Sequence, residues 1–165
     1  DVCINNAGIN KIDPLCEVKE QDWNDIMKVN LTAPFLIQQA VCKNMLKQSY
    51  GKIVNISSIW GTVSIPHRAS YSASKFGLRG LTAASAAELA QHNILINTVS
   101  PGFTLTDLTK QILGEQGIED LTKQIPMRRM AEVDEISRVV LFMCSKLNTY
   151  ISGQNIIVDG GFVNV

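Results

Sequence analysis

Short apolar runs bounded by turn residues alternate along this chain with longer stretches whose apolar positions recur every three or four residues. Asp1 to Asn5 is a short apolar strand running into the turn Asn6-Ala7-Gly8. From about Gln21 to Lys47 the period is helical, with Trp23, Ile26 and Met27, then Phe35, Leu36 and Ala40, on recurring faces. Gly51 stands where a helix stop is expected. Lys52 to Ser57 is a strand, and a loop through Gly61 and Pro66 leads to a second long helix, about Ala69 to Gln91. Ile94 to Val99 is a strand ended by Ser100-Pro101-Gly102, and short helices follow. Asp134 is the expected cap of a helix whose Ile136, Val139, Val140 and Met143 share one face. Asn155 to Val158 is the last strand, closed by Asp159-Gly160-Gly161.

Strands separated by helices imply βαβ units, hence an α/β fold with a parallel sheet covered on both faces. In such sheets ligands lie beyond the carboxyl ends of the strands. Asn6-Ala7-Gly8, Ser58 and Ser100-Pro101-Gly102 all fall at such ends.

The 165 residues hold no repeat, linker or low-complexity tract, so one domain over 1–165 is expected. With 15 basic and 15 acidic side chains and no basic run, nothing points to nucleic acid or an anionic membrane. No apolar stretch reaches the roughly 18 residues of a transmembrane helix. The four cysteines (Cys3, Cys16, Cys42, Cys144) and two histidines are scattered, so no metal site is expected. The cysteines read as reduced thiols of a cytoplasmic protein.

Tyr71 and Lys75 are four apart on a helix and share a face. An ammonium about 5 Å from a phenol, at an effective dielectric near 20, favours phenolate by roughly 3 kcal/mol, or about two pKa units. On that estimate Tyr71 becomes useful for acid–base work near neutrality. Ser58, ending a strand just before this helix, is suited to hold a carbonyl or hydroxyl against Tyr71. Asn30 enters through Pro34: a proline inside a helix leaves the carbonyl four residues back without its N–H, and a kink is expected there.

The segments NNAG at 5–8, VNLT at 29–32, IVNISS at 53–58, YSASK at 71–75, VSPGFTLT at 99–106 and ISGQNIIVDGG at 151–161 resemble the classical short-chain dehydrogenase/reductase family, in order and along essentially the whole chain. Within it, 3-oxoacyl-carrier-protein reductases and sugar or polyol dehydrogenases are matched about equally. The resemblance implies the last four strands of a Rossmann-like doubly wound parallel sheet. It implies NAD or NADP as cofactor, a small-molecule alcohol or carbonyl as substrate, and a homotetramer pairing its long helices and last strands. By resemblance Tyr71 is the general acid and base. Lys75 lowers its pKa and binds the nicotinamide ribose, Ser58 orients the substrate oxygen, and Asn30 holds a relay water. Asn6, Ala7 and Gly8 would line the adenosine ribose and secure the sheet. Pro101 and Gly102 would pass under the nicotinamide, with Thr104 and Thr106 on its carboxamide. Helix capping is the other role open to the threonines.

The family's glycine-rich T-G-x-x-x-G-x-G turn, which cradles the pyrophosphate, is not in this sequence. The expectation is a piece of a longer chain that lacks roughly two βαβ units of about 30 residues each. Were it complete, a non-catalytic remnant unable to hold cofactor is the alternative. His67 and the pair Arg128-Arg129 suit either a substrate contact or a solvated surface. Trp60 and Phe103 suit either a pocket wall or the core.

Overall fold

The computed structural model describes residues 1–164, leaving aside the side chains of Leu108 and Ile112; Val165, the last residue of the expected domain, lies outside the described residues. The strands are β1 (Val2–Asn5), β2 (Gly51–Ile56), β3 (Ile94–Pro101) and β4 (Asn155–Val158). They form one parallel sheet in the order β1-β2-β3-β4. The connections are α1 (Glu20–Met27) and α2 (Ala33–Gln48), then α3 (Ala69–Leu89), then α4 (Asp107–Thr122) and α5 (Val133–Cys144). This is the expected Rossmann-like α/β arrangement; Asn6-Ala7-Gly8 and Ser58 lie past their strands as expected, whereas β3 runs on through Ser100 and Pro101, which pair with β4, so only Gly102 of that motif lies beyond the strand.

Alternation along the strands sorts the core onto two faces. Ile53, Ile94 and Ile96 meet Cys42 and Met45 of α2 and Ala86 and Leu89 of α3. Val54 and Val99 meet Ile136, Val139, Val140 and Met143 of α5. The first face also carries a polar ladder: Asn5 Nδ2 donates to Asn55 Oδ1 (2.7 Å), and Asn55 Nδ2 donates to Thr82 Oγ1 (2.8 Å). These amides are buried but partnered, which removes the cost of desolvating them. β1 is an edge strand, with Val2 and Ile4 about half exposed.

Three local expectations need correction. Gly51 does not stop a helix: Ser49 does so in the left-handed region (φ 50°), and Gly51 begins β2. A Cβ there would run into Met45, with Cγ at 2.7 Å, so the glycine serves close packing between helix end and strand. Asp134 does not cap α5. Glu132 does, in a reciprocal box with Glu135, and Asp134 lies in the first turn. The long helix expected over 21–47 is interrupted by a π-helical turn, Lys28–Thr32, in which Ala33 N–H reaches back five residues to the Lys28 carbonyl. Pro34 has no N–H to give, and widening the turn absorbs that loss. Among the described residues no helix is long and apolar enough to cross a membrane.

Candidate active site

The carboxyl ends of β1 and β2 open onto two adjoining clefts that share Asn6 and Ile56. One, of about 780 Å³, is lined by Gly8, Ile9, Asn10, Lys11, Ile12, Ser57, Tyr71 and Lys75 besides these two. The other, of about 720 Å³, takes in Pro101 at the end of β3, Thr104 and Thr106 after it, and Val133, Ile136 and Val140 of α5. Residues from five separate stretches of chain thus meet at one end of the sheet.

Helix α3 supplies the ionisable pair. Lys75 is 3 % exposed, donates to the Ile56 carbonyl (2.8 Å), and lies 5.5 Å from the centre of the Tyr71 ring. That separation is close to the one assumed from helical spacing, yet the phenol moves the other way. Burial pushes the Tyr71 pKa up, and the Ser58 hydroxyl and the Arg68 charge pull it back only in part. Burial also lowers Lys75 to about 8. Sequence spacing gives the attraction but not the desolvation, and here desolvation is the larger effect.

Ser58 caps a short 3₁₀ turn, its hydroxyl accepting from Trp60 N–H (3.2 Å). Its neighbour Ser57 donates to the Lys75 carbonyl (3.2 Å), a structural bond. That bond and Gly61 set the β2–α3 loop onto the helix: a Cβ on Gly61 would lie 3.0 Å from the Lys75 backbone.

Asn30, in the π turn, is fully buried, and its side chain works as a clamp. Oδ1 accepts from Ile9 N–H (2.8 Å), and Nδ2 donates to the Ile9 carbonyl (2.9 Å) and to Ser74 Oγ (3.1 Å). Ile9 and Ser74 were not singled out from the sequence, where nothing in their spacing marks them. The clamp holds the β1 loop over Lys75, and a Cβ on Gly8 would meet Lys75 Nζ at 3.5 Å and Asn30 Oδ1 at 3.6 Å. Both are ordinary van der Waals distances, so Gly8 simply packs close over the amine.

The remaining expected residues divide. Asn6, Pro101, Thr104 and Thr106 line a cleft; Ala7 and Gly102 do not. The side chain that ties β1 to β2 is Asn5, not one of the three after it. Gly102 packs on Asp159, where a Cβ would come within 2.8 Å, and its N–H donates to the Val158 carbonyl. Thr106 caps α4 by accepting from Thr109 N–H (3.1 Å), so the capping role applies to it. Trp60 and Phe103 stack edge-to-face with each other and with Phe162, at 5.2–6.1 Å between ring centres, an aromatic cluster bordering neither cleft. Arg129 pairs with Glu135, and His67 is exposed.

The arrangement is one that fits a nicotinamide cofactor at its ribose end: an amine at the cleft wall, a phenol beside it, and an adjoining apolar cleft that Pro101 helps to line. A family model described as enoyl-(acyl carrier protein) reductase matches residues 1–163. The chain is 43 % identical over 161 residues to the 3-oxoacyl-[acyl-carrier-protein] reductase FabG of Aquifex aeolicus, covering 98 % of this chain and 64 % of that protein. Against the Thermotoga maritima FabG the identity is 42 %, covering 99 % and 66 %. The chain thus spans about two thirds of the length of these relatives. Among solved structures, a gluconate 5-dehydrogenase from Burkholderia cenocepacia J2315, in complex with NADP and tartrate, superposes over all of this chain and 65 % of that one, with a TM-score of 0.95 and 34 % identity. A 4-hydroxyisoleucine dehydrogenase complexed with NADH matches at 0.95 and 32 %, covering 69 % of its chain. Fold, strand-end motifs and relatives agree, and the chain belongs to the classical short-chain dehydrogenase/reductase family.

Proposed function

We propose that this chain carries the proton-transfer half of an NAD(P)-dependent oxidoreductase that interconverts a secondary alcohol and a carbonyl. The observation that carries the reading is the packing of Lys75 against Tyr71, with both residues lining a cleft of about 780 Å³. Relatives named as reductases and dehydrogenases, two of them solved with NADP or NADH, support it. The nicotinamide, when bound, supplies or accepts the hydride. Asn6, Ala7, Gly8, Pro101, Gly102, Thr104 and Thr106 are the residues proposed to hold it, with Lys75 and Tyr71 at the ribose.

In this reading Tyr71 donates its phenolic proton to the carbonyl oxygen during reduction and takes it back during oxidation. Ser58 orients that oxygen. Lys75, poised near pH 8 by burial, exchanges a proton readily beside the phenol. Asn30 keeps the Ile9 loop in place and so keeps the cleft's shape. Residues 1–165 act as one domain in this reading, with one sheet cored on both faces. Four free thiols support a cytoplasmic setting. A homotetramer is part of the proposal, supported by exposed Phe35, Leu36 and Ile37 on α2 and Phe76 on α3.

The test is Tyr71→Phe in the full-length enzyme. General acid–base catalysis contributes roughly 10²–10⁴-fold, so kcat for ketone reduction should fall by about that factor while NAD(P)H binding is kept. Unchanged kcat would remove Tyr71 from the chemistry. If the wild type neither binds cofactor by fluorescence titration nor turns over any ketone, the non-catalytic reading replaces this one.

A further inference from the structure

The sequence contains five arginines, and four of them are engaged. Arg79 donates to the Gly61 carbonyl, Arg128 to the Lys123 carbonyl, Arg129 pairs with Glu135, and Arg138 lies 3.9 Å from Asp134. Arg68 makes no side-chain hydrogen bond or ion pair among the described residues. Yet Arg68 is half-buried, unlike the exposed Arg138. A guanidinium partly withdrawn from water and left without an anion is a costly arrangement, and a ligand that supplies the anion relieves it.

Its position is also specific. Arg68 is the residue before α3, one helical turn ahead of Tyr71, so the two lie on the same side of the helix start. His67, just before, has φ 67°, a left-handed conformation uncommon for a residue with a side chain. The Arg68 carbonyl is pinned by Ser72 N–H (2.7 Å). The neighbouring cleft contains no carboxylate in its lining. Of its two amines, Lys11 pairs with Asp22, and Lys75 donates to the Ile56 carbonyl and is the amine proposed at the cofactor ribose. Arg68 lines neither cleft itself, but it is the cation next to Tyr71 and has no hydrogen-bond or ion-pair partner among the described residues. Its charge already reaches the phenol, helping to hold the Tyr71 pKa down against burial.

We propose that Arg68 binds a carboxylate of the substrate beside Tyr71, so that the compound turned over is a short hydroxy acid or oxo acid rather than a neutral alcohol or a thioester. The assignment rests on the oxidoreductase reading and narrows its substrate class. In reduction the carbonyl carbon gains the hydride and the carbonyl oxygen gains the Tyr71 proton. The carboxylate stays ionised and forms no bond beyond its ion pair with Arg68.

The test compares the wild type with Arg68→Gln and Arg68→Lys in the full-length enzyme supplied with NADPH and with NADH. Three substrates share one reacting ketone: acetoacetate, methyl acetoacetate and the acetoacetyl thioester of N-acetylcysteamine. Binding of malonate and of malonamide is measured in parallel by calorimetry. The expected result is a wild-type preference for acetoacetate. Arg68→Gln should lower its kcat/KM about 100-fold, chiefly through KM, lower that of the ester far less and only through kcat, as the Tyr71 pKa rises, and abolish malonate binding. Arg68→Lys should recover part of both. Malonamide should bind to none of the three proteins. Equal losses on acid and ester would make Arg68 structural and overturn the proposal. So would a wild-type preference for the ester or thioester, or a wild type that does not bind malonate. If no ketone is turned over but malonate binding still depends on Arg68, the oxidoreductase reading fails and the anion site stands.

Discussion

Lys75 shows how burial tunes a single residue. Its amine binds a proton less tightly in the fold, at about 8, than in an open chain at 10.5. Between those values the unfolded chain holds more protons, so this group makes stability rise with pH; below about 8 the whole burial penalty is present. Tyr71 acts oppositely: its raised pKa means the folded chain holds its proton longer, and stability from it falls above pH 10. The prediction isolates Lys75. Urea midpoints of the wild type should gain on those of Lys75→Met between pH 8 and 10, and parallel curves would contradict the assignment. Spacing on a helix was enough to pair Tyr71 with Lys75. It was not enough to give the direction of the phenol's shift, because desolvation depends on what the rest of the chain packs around the pair.

Two glycines of one helix–loop unit separate packing from propensity. Gly61 faces the Lys75 backbone, which cannot move aside without unwinding α3. Gly61→Ala should destabilise the fold by about 1–3 kcal/mol and should lower kcat, because the strained turn carries Ser58. Gly80 lies within α3, exposed and with nothing within 4 Å of a built Cβ. Gly80→Ala should stabilise by about 1 kcal/mol through helix propensity. Thermal denaturation of both variants checks the pair, and a stable Gly61→Ala protein with full activity would contradict the close approach. At this scale the sequence read well wherever periodicity is strong, as at β4 and α3. It missed the π turn because the apolar pattern runs through it unbroken; only Pro34 hinted at a fault. It placed the α5 cap two residues late, since Asp is a preferred N-cap residue and Glu is not, and only the fold shows that Glu132 and Glu135 form the capping box.

The molecule as a whole presents a half-exposed edge at β1, with Val2 and Ile4 open and Leu141 of α5 70 % exposed beside the apolar cleft. An unpaired strand edge flanked by apolar surface favours association. A polypeptide of residues 1–165 by itself should therefore bind a hydrophobic dye strongly. It should also bind NADPH at least about tenfold more weakly than the full-length Thermotoga maritima relative, having no glycine-rich turn to hold the pyrophosphate. Dye fluorescence and cofactor titration measure both, and cofactor binding equal to the relative's would show that the turn is dispensable.

Local pattern was sufficient for the α/β class, the four strands, the helices between them and the motifs at strand ends, because periodicity and turn chemistry act over a few residues. The Tyr71–Lys75 pair was legible for the same reason, being one helical turn. Tertiary structure alone decided the clamp of Asn30 on Ile9 and Ser74, the Lys75 bond to Ile56, the direction of the Tyr71 shift and the unpartnered Arg68. Each of these joins segments distant in sequence or depends on how far water is excluded, and neither quantity is written in any short stretch of chain.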